Sequence, residues 1–170
     1  MMALKSMPSS DHHMPRFGAS RSTDGGTNDQ RIFAERFTAS DTATREVLAA
    51  LDARLQALEI DQDDRESVEL LLAEALNNIG EHAYAGRGGP VALIIEIERA
   101  GLVCELCDKG ASLPGGSMPG KGLPSIDPPN DVPEGGFGWH IIRCLASDLR
   151  YSRENGWNRL RFRFSFAGFD

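Results

Sequence analysis

LLLAEALNNIGEHAY, residues 70–84, is the stretch on which the reading of this 170-residue chain turns. Leu71, Leu72, Ala75, Leu76 and Ile79, with Val68 before them, recur at helical spacing and form an apolar stripe. Glu74, Asn78 and Glu81 lie three or four residues apart, so the spacing places them on a second, polar face. A carboxylate and a carboxamide one turn apart, beside a core-facing stripe, suit a hydrated Mg²⁺ and the orientation of a nucleophile. They suit the solvated face of an ordinary amphipathic helix better, and the stretch by itself favours that reading; two features downstream reverse it.

Upstream, Asp63 with Glu66 three residues on reads as the start of this helix, in the manner of a capping box. The helix is expected to run to about Gly86, because Gly86, Gly88, Gly89 and Pro90 follow within five residues. An earlier helix spans about residues 42–58, capped by Ser40 or Asp41, with Val47, Leu48, Leu51, Leu55 and Leu58 as its stripe. Before it, residues 31–38 read as a short strand with Phe33 and Phe37 on one face. Residues 1–30 are rich in Ser, Gly, Asp, Met and His without a period, which predicts a disordered tail. The ordered domain is expected over 31–168.

Downstream, residues 91–99 alternate as a strand, with Val91, Leu93, Ile95 and Ile97 facing one way. Ala100 and Gly101 turn the chain into a second strand. There Leu102, Cys104, Leu106 and Asp108 share one phase, so Asp108 points to the apolar side. A carboxylate in that position needs a partner. A ligand that donates a hydrogen bond would serve, and so would a backbone or arginine donor. Residues 111–134 then form a long irregular segment rich in Pro and Gly, the pattern of a lid. Gly135, Gly136, Phe137 and Gly138 lead into a short helix over residues 139–146; glycines there allow a close backbone approach to a phosphate, or simply make a turn. Asn155-Gly156 marks a final hairpin, in which Leu160, Phe162, Phe164 and Phe166 alternate with Arg159, Arg161 and Arg163. The order β-α-α-β-β-lid-α-β-β predicts an α+β, two-layer sandwich: a mixed, mainly antiparallel sheet with helices on one face.

The bulk properties exclude several classes. A net charge of −7 argues against a nucleic-acid surface. No run approaches the ~20 apolar residues of a membrane span, and no apolar segment marks a signal peptide, so the cytoplasm is the expected compartment. Three cysteines do not make a disulfide scaffold. Cys104 and Cys107 form a C-x-x-C, but on a strand they point to opposite faces, and core packing is the expected role.

Taken in order, Glu74-x-x-x-Asn78, Asp108-x-Gly110 and Gly136-x-Gly138 resemble the N, G1 and G2 boxes of the GHKL (Bergerat) ATP-binding superfamily. Within it, AEALNNIGEHAY, DKGAS and EGGFGWHIIRCLASDLRYSRENGWNRLRF are similar to the bacterial anti-sigma-factor serine/threonine kinases, over about residues 31–166. The resemblance implies a GHKL fold that binds ATP and Mg²⁺. It implies that Asn78 holds the Mg²⁺, that Glu74 is the general base toward a partner's serine, and that Asp108 accepts from the adenine amino group with Gly110 beside the base. Gly135, Gly136, Phe137 and Gly138 would receive the phosphates, with Glu81 and Lys121 completing the nucleotide contacts and the lid closing over them. The implied partners are a STAS-domain antagonist, a sigma factor and a second copy of the chain as a homodimer. Pro133, Glu134 and Gly135 stand where some members carry an arginine that contacts the terminal phosphate. That departure keeps a second expectation alive, a nucleotide-gated anti-sigma binding module with little or no kinase activity.

Overall fold

Strands β2 (Pro90–Glu98) and β3 (Gly101–Asp108) form the centre of the sheet because both alternate apolar residues and are joined by a two-residue turn. Their register pairs Leu93 with Leu106 and Ile95 with Cys104, which lines up the buried phase of both strands. In this computed structural model, which describes residues 30–116, 118 and 137–168, three further strands complete the sheet. β1 (Gln30–Thr38) flanks β2, and the hairpin of β4 (Ser147–Glu154) and β5 (Trp157–Ser165) flanks β3, giving the order β1-β2-β3-β5-β4. Each neighbouring pair is antiparallel, so the sheet is purely antiparallel rather than mixed among the described residues.

Helices α1 (Asp41–Ala57), α2 (Gln62–Asn78) and α3 (Phe137–Leu145) cover one face. Leu51 and Leu55 of α1, Leu71 and Leu72 of α2 and Ile142 of α3 meet Leu93, Ile95, Leu106 and Phe162 of the sheet in one core. At about 25 cal/mol per Å² of apolar surface removed from water, this shared burial is the main force joining the two layers. Ser40 caps α1 by accepting from the Ala43 N–H at 3.2 Å. The cap of α2 is Asp61, which accepts from the Asp63 N–H at 3.0 Å, so the helix starts earlier than the Asp63–Glu66 reading placed it. Asp64 is instead buried and accepts from the Ala167 N–H, fastening the chain's last described residues to α2.

The helix also ends differently. Its α-helical part stops at Asn78, and Ile79–Ala83 form a wider π-turn in which the Tyr84 N–H reaches back five residues to the Ile79 carbonyl. Cys104 faces the core while Cys107 packs on the other side of the sheet with Ala92 and Trp157. That outer side is otherwise covered by charged chains, including the Arg163–Glu98 ion pair at 2.8 Å and Arg159–Glu105 at 3.5 Å. No described helix is long and apolar enough to cross a membrane. Of the tail predicted over 1–30, Gln30 instead belongs to β1, where it pairs with Ile97; residues 1–29 and most of the predicted lid, with Lys121, Pro133, Glu134, Gly135 and Gly136, lie outside the described residues.

Candidate functional site

Two groups of polar residues sit at opposite ends of the π-turn. The first lies between α2 and α3. Glu74 and Asn78 project from the same side of α2, and the first turn of α3 packs against them. A methyl group on Gly138 would fall 2.6 Å from Glu74 Oε2 and 3.6 Å from Asn78 Nδ2, so glycine lets the α3 backbone lie directly on the carboxylate. The opening N–H groups of α3 have no acceptor within the helix and carry its positive dipole end. The Asn78 side-chain nitrogen is buried without a hydrogen-bond partner among the described residues. An orphaned buried amide is costly, by about 1–3 kcal/mol, unless something else completes it. Phe137 is exposed at the start of α3. Glu81, on the π-turn, is exposed.

The second group closes the end of β3. Asp108 is 5% exposed. Its Oδ1 accepts from the Gly110 N–H and from Asn158 Nδ2, both at 2.8 Å. Burial pushes the carboxyl above its ordinary value, opposed by the Asn158 amide, the Gly110 N–H and the Arg153 charge. Tyr84 binds the same strand end, donating to the Pro90 carbonyl at 2.7 Å and accepting from the Lys109 N–H at 2.8 Å. Burial raises its hydroxyl pKa, with the Lys109 N–H opposing and the Asp108 charge adding.

Gly110 is where the two groups are joined. A Cβ there would lie 2.5 Å from the Ala83 carbonyl oxygen, and the next residue's N–H, Ala111, donates to that oxygen at 2.8 Å. The close neighbour of Gly110 in this structure is thus the protein's own π-turn. Asp108 and Gly110 are thus brought together, as are Glu74, Asn78 and Gly138.

Four residues of the strand end, Asn158, Tyr151, Arg153 and Tyr84, escaped the sequence reading. Asn158 carried a usable signal: it shares the buried phase of Leu160 and Phe162 on β5, as Asp108 shares that of Leu106 on β3, and the two residues pair in register. Among the described residues no group of three or more His, Cys, Asp or Glu is placed to hold a metal. The orphaned Nδ2 of Asn78 is a donor and suits an anionic acceptor; with the amide turned, Oδ1 takes its place and suits a cation.

Known proteins match most of this chain. The family described as the histidine kinase-like ATPase domain matches residues 37–164. Serine-protein kinases RsbW of Bacillus cereus (strain AH187) and Bacillus anthracis (strain A0248) are each 28% identical over 96 residues, which is 55% of this chain and 60% of theirs. The chain thus spans less than two thirds of the length of these curated relatives. A crystal structure of the RsbU and RsbW domains of a Mycobacterium tuberculosis protein superposes with a TM-score of 0.53 at 17% identity, covering 79% of this chain and 32% of that one, and so shares the fold. The family match supports the GHKL resemblance, and the solved structure supports its fold. With that match spanning well over half of its length, the chain belongs to the histidine kinase-like ATPase domain family.

Proposed function

We propose that this chain is an ATP- and Mg²⁺-dependent serine/threonine protein kinase that acts as an anti-sigma factor and phosphorylates a serine of a STAS-domain antagonist. The observation that carries the reading is the contact of Glu74, Asn78 and the Gly138 backbone at the opening turn of α3. It gathers a carboxylate base, an uncommitted carboxamide and a set of free N–H groups in one place. Asn78 would hold the cation through its side-chain oxygen, with the amide turned so that Oδ1 takes the buried position. When bound, Mg²⁺ would neutralise the phosphate charge. Glu74 takes the proton from the partner's serine hydroxyl as the serine oxygen attacks the terminal phosphorus and the bond from that phosphorus to the bridging oxygen breaks, releasing ADP. Asp108 accepts from the adenine amino group, and the opening turn of α3 orients the phosphates.

The curated relatives are named serine-protein kinases, which supports the reaction class. Homodimerisation, a sigma-factor partner and a cytoplasmic location belong to the same proposal. The second reading, a nucleotide-gated binding module, is favoured by one sequence feature: Pro133-Glu134-Gly135 offers no cation just before the glycines. Incubating the protein with Mg-ATP and a STAS-domain partner, and reading phosphoserine by mass spectrometry beside a Glu74→Ala control, separates the two. Phosphoserine that vanishes in the variant supports the kinase. Partner capture that needs ATP but yields no phosphoserine supports the module.

A further inference from the structure

The Asn158 side chain is buried at 4% exposure and is held at both ends. Its Oδ1 accepts from the Tyr151 hydroxyl at 2.7 Å and from Arg153 Nη1. Its Nδ2 donates to Asp108 Oδ1 at 2.8 Å and to the Ala111 carbonyl at 2.9 Å, with the Gly110 carbonyl at 3.4 Å. A guanidinium only donates, so Arg153 forbids the flipped amide. The orientation of Asn158 therefore follows from chemistry rather than from an arbitrary choice between nitrogen and oxygen. The clamp reaches further. Arg153 Nη1 also donates to the Gly110 carbonyl at 2.9 Å, and the Tyr151 hydroxyl accepts from the Leu113 N–H at 3.2 Å.

We propose that Asn158, locked by Tyr151 and Arg153, is a positioning residue that holds Asp108 as a hydrogen-bond acceptor and so makes the site select 6-aminopurine over 6-oxopurine nucleotides. The inference rests on the nucleotide-binding reading above and adds a cause for base choice. The Asn158 and Gly110 donors both use Oδ1 of Asp108, which leaves the acceptor capacity of Oδ2 outside these two bonds. An ionised carboxylate accepts from an exocyclic amino group and meets an exocyclic carbonyl with repulsion. A protonated one donates, and would accept the carbonyl instead. Asn158 and the Gly110 N–H stabilise the ionised form against its burial. The other titratable or charged groups acting there are Arg153 from β4, Tyr84 from the end of the π-turn, and Cys107 on the same strand. Lys109 turns its ammonium away, 4.9 Å above the Trp157 ring.

The test is calorimetric titration of the full chain with Mg-ATP and Mg-ITP at one mildly acidic and one mildly alkaline pH. The wild type is expected to prefer ATP by at least about tenfold at both values. In Asn158→Ala the preference should shrink by about tenfold, and ITP should gain at the lower pH as Asp108 takes up a proton. Asn158→Ser keeps a donor and should recover part of the preference. If Asn158→Ala does not fold, Tyr151→Phe removes one support of the clamp and should lower the ATP preference by about threefold. A wild type that binds both nucleotides alike overturns the positioning role and leaves nucleotide binding standing. So does an Asn158→Ala protein that loses affinity equally for both nucleotides at both pH values, or, where that variant does not fold, an unchanged preference in Tyr151→Phe. A wild type that binds neither nucleotide overturns both this inference and the reading on which it rests.

Discussion

Around Asp108 the named polar groups are matched within the protein: its Oδ1 takes two donors, Asn158 is held at both ends, and Tyr84 both gives and receives a hydrogen bond. Around Glu74 the opposite holds. Among the described residues Glu74 makes no hydrogen bond or ion pair, Asn78 Nδ2 is buried without a partner, and the opening N–H groups of α3 have no acceptor within their helix. The difference separates two tasks. Recognition of a neutral, rigid group such as a base profits from donors and acceptors fixed in advance. Charged groups that change during reaction need positions that the ligand itself completes. Under the proposed function the strand end would serve the first task and the helix end the second.

The sharpest way to break that contrast is Glu74→Gln. The carboxamide keeps the volume beside Gly138 and removes the base. Phosphoryl transfer to the partner serine is expected to fall by about 10²–10⁴-fold while ATP affinity, read calorimetrically, changes by less than about threefold. Equal loss of both would mean that Glu74 belongs to binding and that the two ends are not functionally distinct.

Asp108→Asn probes the finished end. It should lower ATP affinity by about 10–100-fold, because a carboxamide nitrogen meets the adenine amino group as donor to donor. It should also raise the unliganded protein's stability by about 1 kcal/mol near neutral pH, since a buried charge is removed and Oδ1 can still accept from Gly110 and Asn158. The sign follows from linkage. The folded Asp108 carboxyl lies above its unfolded value of 3.8. Between the two values the folded protein holds the extra proton, so its stability falls as pH rises through that window. Denaturant titrations across mildly acidic pH should show this decline in the wild type and a flatter profile in the variant.

The same small substitution at each end sharpens the comparison further. Gly110→Ala drives a methyl group against the Ala83 backbone, which cannot rotate away, and is expected to cost about 2–3 kcal/mol. Gly138→Ala meets the far end of the Glu74 side chain, which can move, so the stability cost should stay below about 1 kcal/mol. Activity should nevertheless drop, because the displaced group is the carboxylate itself. Chemical denaturation beside the phosphoserine assay distinguishes these outcomes.

The smallest effect concerns the thiols. Burial and the Glu105 charge push Cys107 up to about 12, and Cys104 is raised further by burial alone. Cys144, on α3, is exposed. Native protein should therefore consume one equivalent of a thiol reagent at Cys144, the other two reacting only after unfolding. Mass spectrometry of the labelled peptides checks the assignment.

The sheet and its helical cover were legible because their signals are local. Leu93 and Ile95, or Phe162 and Phe164, reveal their common face by alternation alone, and Glu74 and Asn78 reveal theirs by one helical turn. The start of α2 was less legible because Asp61, Asp63 and Asp64 are all acceptable caps, and Asp64 was needed by Ala167, over a hundred residues away. The end of α2 was hidden because IGEHA contains nothing that breaks a helix; the π-turn arises where the chain docks on Gly110 and Ala111. Asn158 was overlooked for a similar reason. Its meaning depends on Asp108, fifty positions earlier, and on two side chains of the neighbouring strand.

The π-turn also sets an angular offset. Each α-helical residue advances by about 100° around the axis, whereas a π-turn fits an extra residue into the same circuit. Glu74 and Asn78 lie before the offset, and the Ala83 carbonyl and the Tyr84 hydroxyl lie after it. Removing one residue between them would regularise the helix and swing Ala83 and Tyr84 off the strand end, leaving α2 intact but the two halves of the site out of register.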